Sequence, residues 1–344
     1  MKKQSIINLV RYHVERNEEA FASEVADIAR EFDNSGDTPV AEYLMELVSN
    51  ANYYIPQSTY KNLRFLSKLE YSSNPLLLPA LIEEDVIGIT KAIKNKSGLS
   101  KFLFYGAPGT GKTESAYQIA RLLGRDLLVV NLEQLIDSRL GETAKNVVSL
   151  FDEINHLVFG KVIVLIDEID SLILDRVNKN DLREMGRVTS TFLKGLDVLN
   201  ENIPVIATTN LFDNFDKAIL RRFDAIVSFD RYSDDDLVDI ADSMLISCLK
   251  KSTNSKQDMR LFHKILRNLG KIPYPGDLKQ LIKTSVAFSD EVNEYDYLRK
   301  LYLSLHDGKD VDIQKLSDDG FTTREIEILS RIPKSSVSRK LKEK

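Results

Sequence analysis

The sequence has a single cysteine, Cys248, among 344 residues. One thiol can form neither an internal disulfide nor a cysteine-cluster metal site, so a reducing compartment is the expectation. Cys248 itself reads as a small apolar residue on a helix packing face rather than a reactive thiol. Long hydrophobic runs are also missing. The longest uncharged apolar stretch, Val162–Ile166, falls far short of the ~20 residues that span a bilayer. The start, Met1-Lys2-Lys3-Gln4, leads into an apolar stretch broken by Asn8, Arg11 and His13, which is too interrupted for a signal-peptide core. A cytoplasmic location and no membrane contact are therefore expected. Nor is there much excess of one charge: 47 Lys and Arg stand against 52 Asp and Glu, a net of -5. That excludes a chain that coats nucleic acid along its whole surface and leaves room for a local basic element. Internal repeats and low-complexity segments are absent as well.

What is present is ordinary globular material, 43% hydrophobic and 29% charged. The length suggests about two or three domains. From Ser5 to about Leu69 the pattern is helical. Apolar residues recur at helical spacing in Ile6, Leu9, Val10, His13 and Val14, and again in Phe21, Val25, Ile28, Ala29 and Phe32. Asn34-Ser35-Gly36-Asp37-Thr38-Pro39 breaks the pattern as a loop. After Pro75 and Pro79 the character changes. Short runs at Lys101–Tyr105, Leu127–Asn131, Lys161–Ile166, Ile203–Thr208 and Ala225–Phe229 alternate with helical stretches. Most are apolar at consecutive positions, which suits strands buried on both faces of a parallel sheet with right-handed crossovers. From Ser233 the strands stop. Ser233 to Asp236 reads as a capping box opening a helix to about Leu249, followed by helices at Asp258–Leu269, Asp277–Phe288 and Tyr295–Leu305.

Two motifs carry chemistry. Gly106-Ala107-Pro108-Gly109-Thr110-Gly111-Lys112-Thr113 matches G-x-x-x-x-G-K-[ST], entered by a strand and left by a helix. Such a loop points backbone N–H groups at phosphate oxygens, and the helix N-terminus adds partial positive charge. Lys112 is expected at the β- and γ-phosphates of ATP, and Thr113 at Mg2+. The second motif is a strand ending in acid, Val162 to Asp170. It delivers Asp167 to the carboxyl edge of the sheet as the expected Mg2+ partner, with Glu168 as the base for the attacking water. Asp170 reads as a helix cap.

These motifs, with Thr208-Thr209-Asn210 and the stretch Asp216 to Asp224, resemble an AAA+ ATPase over roughly residues 76–290. The resemblance implies an α/β P-loop NTPase with a parallel-sheet core and an all-helical lid, flanked by an N-terminal helical domain and a C-terminal helical module. The expected boundaries are 1–74, 75–232, 233–306 and 307–344. It further implies that Asn210 senses the γ-phosphate, and that Arg221 and Arg222 reach the nucleotide of a neighbouring subunit in a homo-oligomeric, usually hexameric, ring. Lys279 matches the lid's second sensor, with a plain exposed helix lysine as the alternative. Asp85-Val86-Ile87-Gly88 stands where the family builds its adenine pocket, which assigns Ile87 and Gly88 to the base. Members that thread protein carry an aromatic residue, an apolar residue and glycine before a helix; here Ser138-Arg139-Leu140-Gly141 puts an arginine in the aromatic position.

The tail differs in charge from the rest. Gly320 to Lys344 holds 7 basic and 3 acidic residues, a net of +4, which leaves -9 on the remainder. Gly320 to Leu329 reads as a helix with a Thr322/Glu325 capping box, Arg331-Ile332-Pro333 as a break, and Ser335–Lys344 as a second helix, a helix-turn-helix-like pattern. Ser335, Ser336, Arg339 and Lys340 are its candidates for phosphate or base contact, so DNA is a candidate partner through residues 320–344. Glu327 and Arg331 stand where such motifs usually have a small residue and a glycine. Three kinds of work remain open: remodelling or unfolding a protein client, possibly beside a separate protease; a DNA-associated ATPase such as a loader, remodeller or mobile-element regulator; and a nucleotide-switched assembly scaffold.

Overall fold

The structure is a computed structural model. It describes residues 3–15, 17–50, 63–69, 77–136, 141–158, 160–173, 182–250, 255–290, 292–306 and 311–342. The expected boundary at 74/75 falls outside these residues, as do residues 307–310 just past the expected boundary at 306/307, and Ser138, Arg139 and Leu140.

Three helices lead: α1 (Lys3–Val14), α2 (Glu18–Asn34) and α3 (Thr38–Asn50). Ala26, Ala29, Ala41 and Met45 form a small core between α2 and α3, against which Val158 packs. Arg30 donates to the His156 carbonyl at 2.7 Å, tying this layer to the next.

The central sheet has six strands: β1 (Leu66–Lys68), β2 (Lys101–Tyr105), β3 (Asp126–Val130), β4 (Val162–Ile166), β5 (Val205–Thr209) and β6 (Ala225–Ser228). Their order is β1-β3-β4-β5-β2-β6. All neighbours are parallel except β1, which runs antiparallel to β3. The helical expectation for Ser5 to Leu69 therefore fails at its end. Phe65 and Leu66 are buried, and the chain there is extended, with Phe65 and Leu69 exchanging backbone hydrogen bonds with β3 and its end. A three-residue strand is too short to leave a period that sequence can show.

Interleaved with the strands are α4 (Ala80–Lys94), α5 (Lys112–Leu122), α6 (Leu132–Leu135), α7 (Glu142–Asn155), α8 (Asp170–Ile173), α9 (Leu182–Asp197) and α10 (Lys217–Leu220). β4 and β5 are buried at every position, β4 as its unbroken apolar run requires and β5 with Thr208 and Thr209 buried at its end. One face of the sheet packs on α7 and α9, the other on α4 and α5. On the α7/α9 side, an added Cβ at Gly195 would meet the Phe151 ring at 2.0 Å, so that position admits glycine alone without repacking.

Beyond the sheet lie α11 (Asp234–Leu249), α12 (Met259–Arg267), α13 (Pro275–Ala287) and α14 (Asp296–Leu305), then α15 (Ile313–Asp318), α16 (Thr323–Ser330) and α17 (Lys334–Lys342). The capping boxes expected at Ser233/Asp236 and Thr322/Glu325 are both formed. All seven helices contribute to one hydrophobic core, from Leu237 to Val337.

Candidate active site at the carboxyl edge of the sheet

Strand order decides what meets at the edge. β5 lies between β2 and β4, with Tyr105 opposite Thr209 and Ile166 opposite Ala207. Three loops thus leave side by side: the glycine-rich loop after β2, the acidic turn after β4, and the Asn210 turn after β5.

The glycine-rich loop is held open by left-handed residues that only glycine adopts cheaply. Gly106 has φ 146° and Gly109 φ 78°. A Cβ on Gly106 would sit 2.9 Å from an Asp230 oxygen. That carboxylate accepts the Ala107 N–H at 2.7 Å. Within the loop the Thr110 hydroxyl donates to the Ala107 carbonyl at 2.8 Å, while Pro108 is exposed. Gly111 is the left-handed N-cap of α5, and Lys112 and Thr113 open that helix.

Lys112 is buried at 7% exposure. Its Nζ donates to the carbonyls of Gly106 (2.7 Å) and Ala107 (2.9 Å) and to Asn210 Oδ1 (2.7 Å). Burial lowers its pKa from the ordinary lysine value, and the carboxylates of Asp230, Asp167, Asp170 and Glu168 oppose that fall. The Thr113 hydroxyl lies 3.0 and 3.1 Å from the two oxygens of Asp167. Asp167 also accepts the Thr208 hydroxyl at 2.5 Å, and Thr208 Oγ1 accepts the Glu168 N–H at 2.9 Å. Thr208 therefore fixes both acids. Glu168 has φ 52°, a left-handed conformation costly for a side-chain-bearing residue, and it is exposed. The Asn210 amide points at Glu168 Oε1 across 3.5 Å. Asp170 opens α8, and its carboxylate accepts the Thr209 hydroxyl (2.7 Å) and the Asn210 N–H (3.2 Å). It holds the Asn210 turn against the acidic turn. Hard oxygen donors at Thr113 and Asp167, beside a phosphate cradle, suit a small divalent cation. Among the described residues no group of three or more His, Cys, Asp or Glu forms a self-contained metal site.

The helices after the sheet close over the loop. Gly276, in the first turn of α13, donates to the Gly109 carbonyl at 2.8 Å. Tyr232 donates its hydroxyl to the Thr110 carbonyl at 2.6 Å. Burial raises the Tyr232 pKa, so it stays a donor across the ordinary pH range.

The remaining expected site residues lie elsewhere. Arg221 and Arg222 close α10. The Arg222 fork is engaged by Asp197 at 3.3 Å through two nitrogens and by the Ala218 carbonyl at 2.7 Å. Arg221 is exposed and uses Nε on the Lys217 carbonyl at 3.1 Å. Ile87 and Gly88 sit mid-helix on the exposed face of α4, Ile87 at 41% exposure. Their neighbour Asp85 pairs with Arg231, next to Asp230. Lys279 stands on exposed α13 surface, one turn beyond Gly276. The bonds of Asp170 to Thr209 and Asn210, and the roles of Thr208, Asp230, Tyr232 and Gly276, escaped the sequence reading. Their partners lie far off in the chain, 123 residues in the case of Ala107 and Asp230, and no local spacing announces them.

Residues 102–231 match the model of the ATPase family associated with various cellular activities, AAA. The chain carries an AAA ATPase domain. Among curated relatives, the AAA family ATPase y4kL of Sinorhizobium fredii is 35% identical over 173 residues, 47% of this chain and 51% of that protein. A proteasome-activating nucleotidase of Methanoculleus marisnigri is 32% identical over 199 residues, 54% of this chain and 44% of that one. The peroxisomal ATPase pex6 of Schizosaccharomyces pombe is 32% identical over 160 residues, 44% of this chain and 16% of that one. The chain thus spans about half, or less, of the length of the curated relatives it matches. In fold it is similar to a chain of an E. coli MS115-1 HORMA:CdnC:Trip13 complex, with a TM-score of 0.56, 20% identity, and coverage of 72% of this chain and 96% of that one. The expected family and α/β fold are both borne out. Among the described residues no helix is long and apolar enough to cross a membrane.

Proposed function

We propose that the protein is a magnesium-dependent ATPase that works as a ring of its own copies, six in the family's usual form, to remodel or unfold a protein client. The observation that carries the reading is the convergence of Lys112, Thr113, Asp167, Glu168 and Asn210 at one sheet edge, linked by hydrogen bonds of 2.5–3.5 Å.

In this reading the loop amides and the α5 N-terminus hold the phosphates, and Lys112 transfers its donors from loop carbonyls to the β- and γ-phosphate oxygens. Thr113 and Asp167 would hold Mg2+, which when bound neutralises charge on those oxygens. Asn210 orients the attacking water, and Glu168 takes its proton. Ile87 and Gly88 offer exposed apolar surface for the base, and Lys279 a cation near the lid's contact with the loop. The likeness to a proteasome-activating nucleotidase and to a peroxisomal ATPase supports a protein client, and makes a separate protease the partner class to look for.

Glu168→Gln tests the site. ATP binding should stay within about twofold of wild type while turnover falls by about 100-fold or more. Turnover near the wild-type rate removes Glu168 from the role of base. The same variant, held with ATP bound, should retain its client, and unfolded protein should stimulate the wild-type ATPase. Absence of both effects favours an assembly scaffold.

A further inference from the structure

The tail forms three helices that pack on one another. α16 and α17 are joined by the short turn Arg331-Ile332-Pro333. α15 packs on both, and Leu316, Phe321, Ile326, Leu329 and Val337 are buried between them and the lid. Both departures from the usual motif have a structural reason. Arg331 takes the left-handed turn position, φ 59°, that glycine normally fills. Its guanidinium is anchored on Asp296, a fully buried carboxylate, at 2.8 Å. Glu327, in place of a small residue, accepts the Lys334 N–H at 3.0 Å and so caps α17.

The module is oriented as well as folded. α16 packs on α14, and Glu325 binds Lys264 of α12 at 2.8 Å, while Lys264 also reaches the Gly320 carbonyl at 2.6 Å. α17 packs on α15 and α16 and turns its other side outward. Val337 is buried at 0% exposure, with Leu341 beside it half-buried. Ser335, Arg339 and Lys342, at spacings of four and three, occupy the opposite, exposed face. Lys334 and Lys340 flank that stripe, and Arg324 is exposed at the start of α16. α17 holds four basic residues and no acidic one. On α16, the carboxylates of Glu325 and Glu327 are engaged by Lys264 and by the α17 backbone.

We propose that this module binds double-stranded DNA, with α17 in the major groove. Ser335 and Arg339 face base edges, and Lys334, Lys340, Lys342 and Arg324 meet phosphates. An acidic protein surface is the competing occupant. It would need only the charge and would be indifferent to the outward serine–arginine stripe.

The test uses the full chain and a fluorescent duplex of about 30 base pairs with a randomised centre, titrated between roughly 50 and 300 mM salt. Binding should weaken steeply with salt. Lys340→Ala/Lys342→Ala, which removes two phosphate contacts, should flatten the log–log salt slope by about 2, and duplexes selected from the randomised pool should lose about tenfold in discrimination when Arg339 alone is replaced. These side chains are exposed and outside the nucleotide site, so basal ATPase should be unchanged, which confirms that the variants fold. No duplex binding near 50 mM salt, equal binding by the double variant, or tighter binding of single strands of the same length would each overturn the proposal.

Discussion

Asp230 shows how one side chain can serve both shape and charge. Its oxygen receives the Ala107 N–H and fills the space that a Cβ on Gly106 would need. Its charge is the largest influence keeping Lys112 protonated against the cost of burial. Asp230→Asn separates the two roles, because the amide oxygen still accepts from Ala107. Losing the negative charge lowers the Lys112 pKa further. A lysine must be charged to hold phosphate, so the alkaline limb of ATP binding should move to lower pH, while affinity near neutrality changes little. A pH series of ATP affinity for the two proteins reads this directly. An unmoved or upward-moving limb would show that Asp230 acts only through shape.

At the scale of elements, the contact between α13 and the phosphate loop is backbone against backbone. Gly276 Cα and Gly109 Cα are so close that an ideal Cβ on Gly276 would fall 2.7 Å from Gly109 Cα. Neither side can yield as a long side chain would. Gly276→Ala should therefore lift the lid from the loop, weakening ATP binding by about tenfold while thermal stability moves little, since the lid core around Leu278 and Ile282 is untouched. Calorimetric binding beside a melting curve distinguishes this from general unfolding. The same contact marks where sequence reading stops. β4 was legible because five consecutive apolar residues leave few alternatives to a buried strand, and β2 and β5 because their shorter apolar runs lead straight into the motif residues. The phosphate loop was legible because its residues are contiguous. β1 was not, since three residues carry no period. Gly276 to Gly109, Thr208 to Asp167 and Asp230 to Ala107 were not, because each is a tertiary meeting of residues that local preference leaves uncommitted. Asp170 was read as a helix cap; it is the first residue of α8, and its Oδ1 is spent on Thr209 and Asn210.

At the scale of the whole molecule, the two adjacent arginines after α10 part company. Arg222 spends its fork inside its own chain, on Asp197 and the Ala218 carbonyl. Arg221 keeps its terminal nitrogens outward, having committed only Nε to the helix. In a ring, the outward arginine is the one able to approach charge developing on a neighbour's nucleotide. Arg221→Ala should thus cut turnover by about 100-fold or more with ATP affinity preserved, whereas Arg222→Ala should show chiefly as a lower melting temperature. The decisive measurement mixes subunits. Arg221→Ala subunits keep Glu168, and Glu168→Gln subunits keep Arg221, so mixed rings contain sites assembled from the intact half of each. Turnover in the mixture above that of either variant alone is the expected result. A mixture no more active than its parts, under conditions where subunits exchange, would place Arg221 in its own chain's chemistry and leave the site complete without a neighbour.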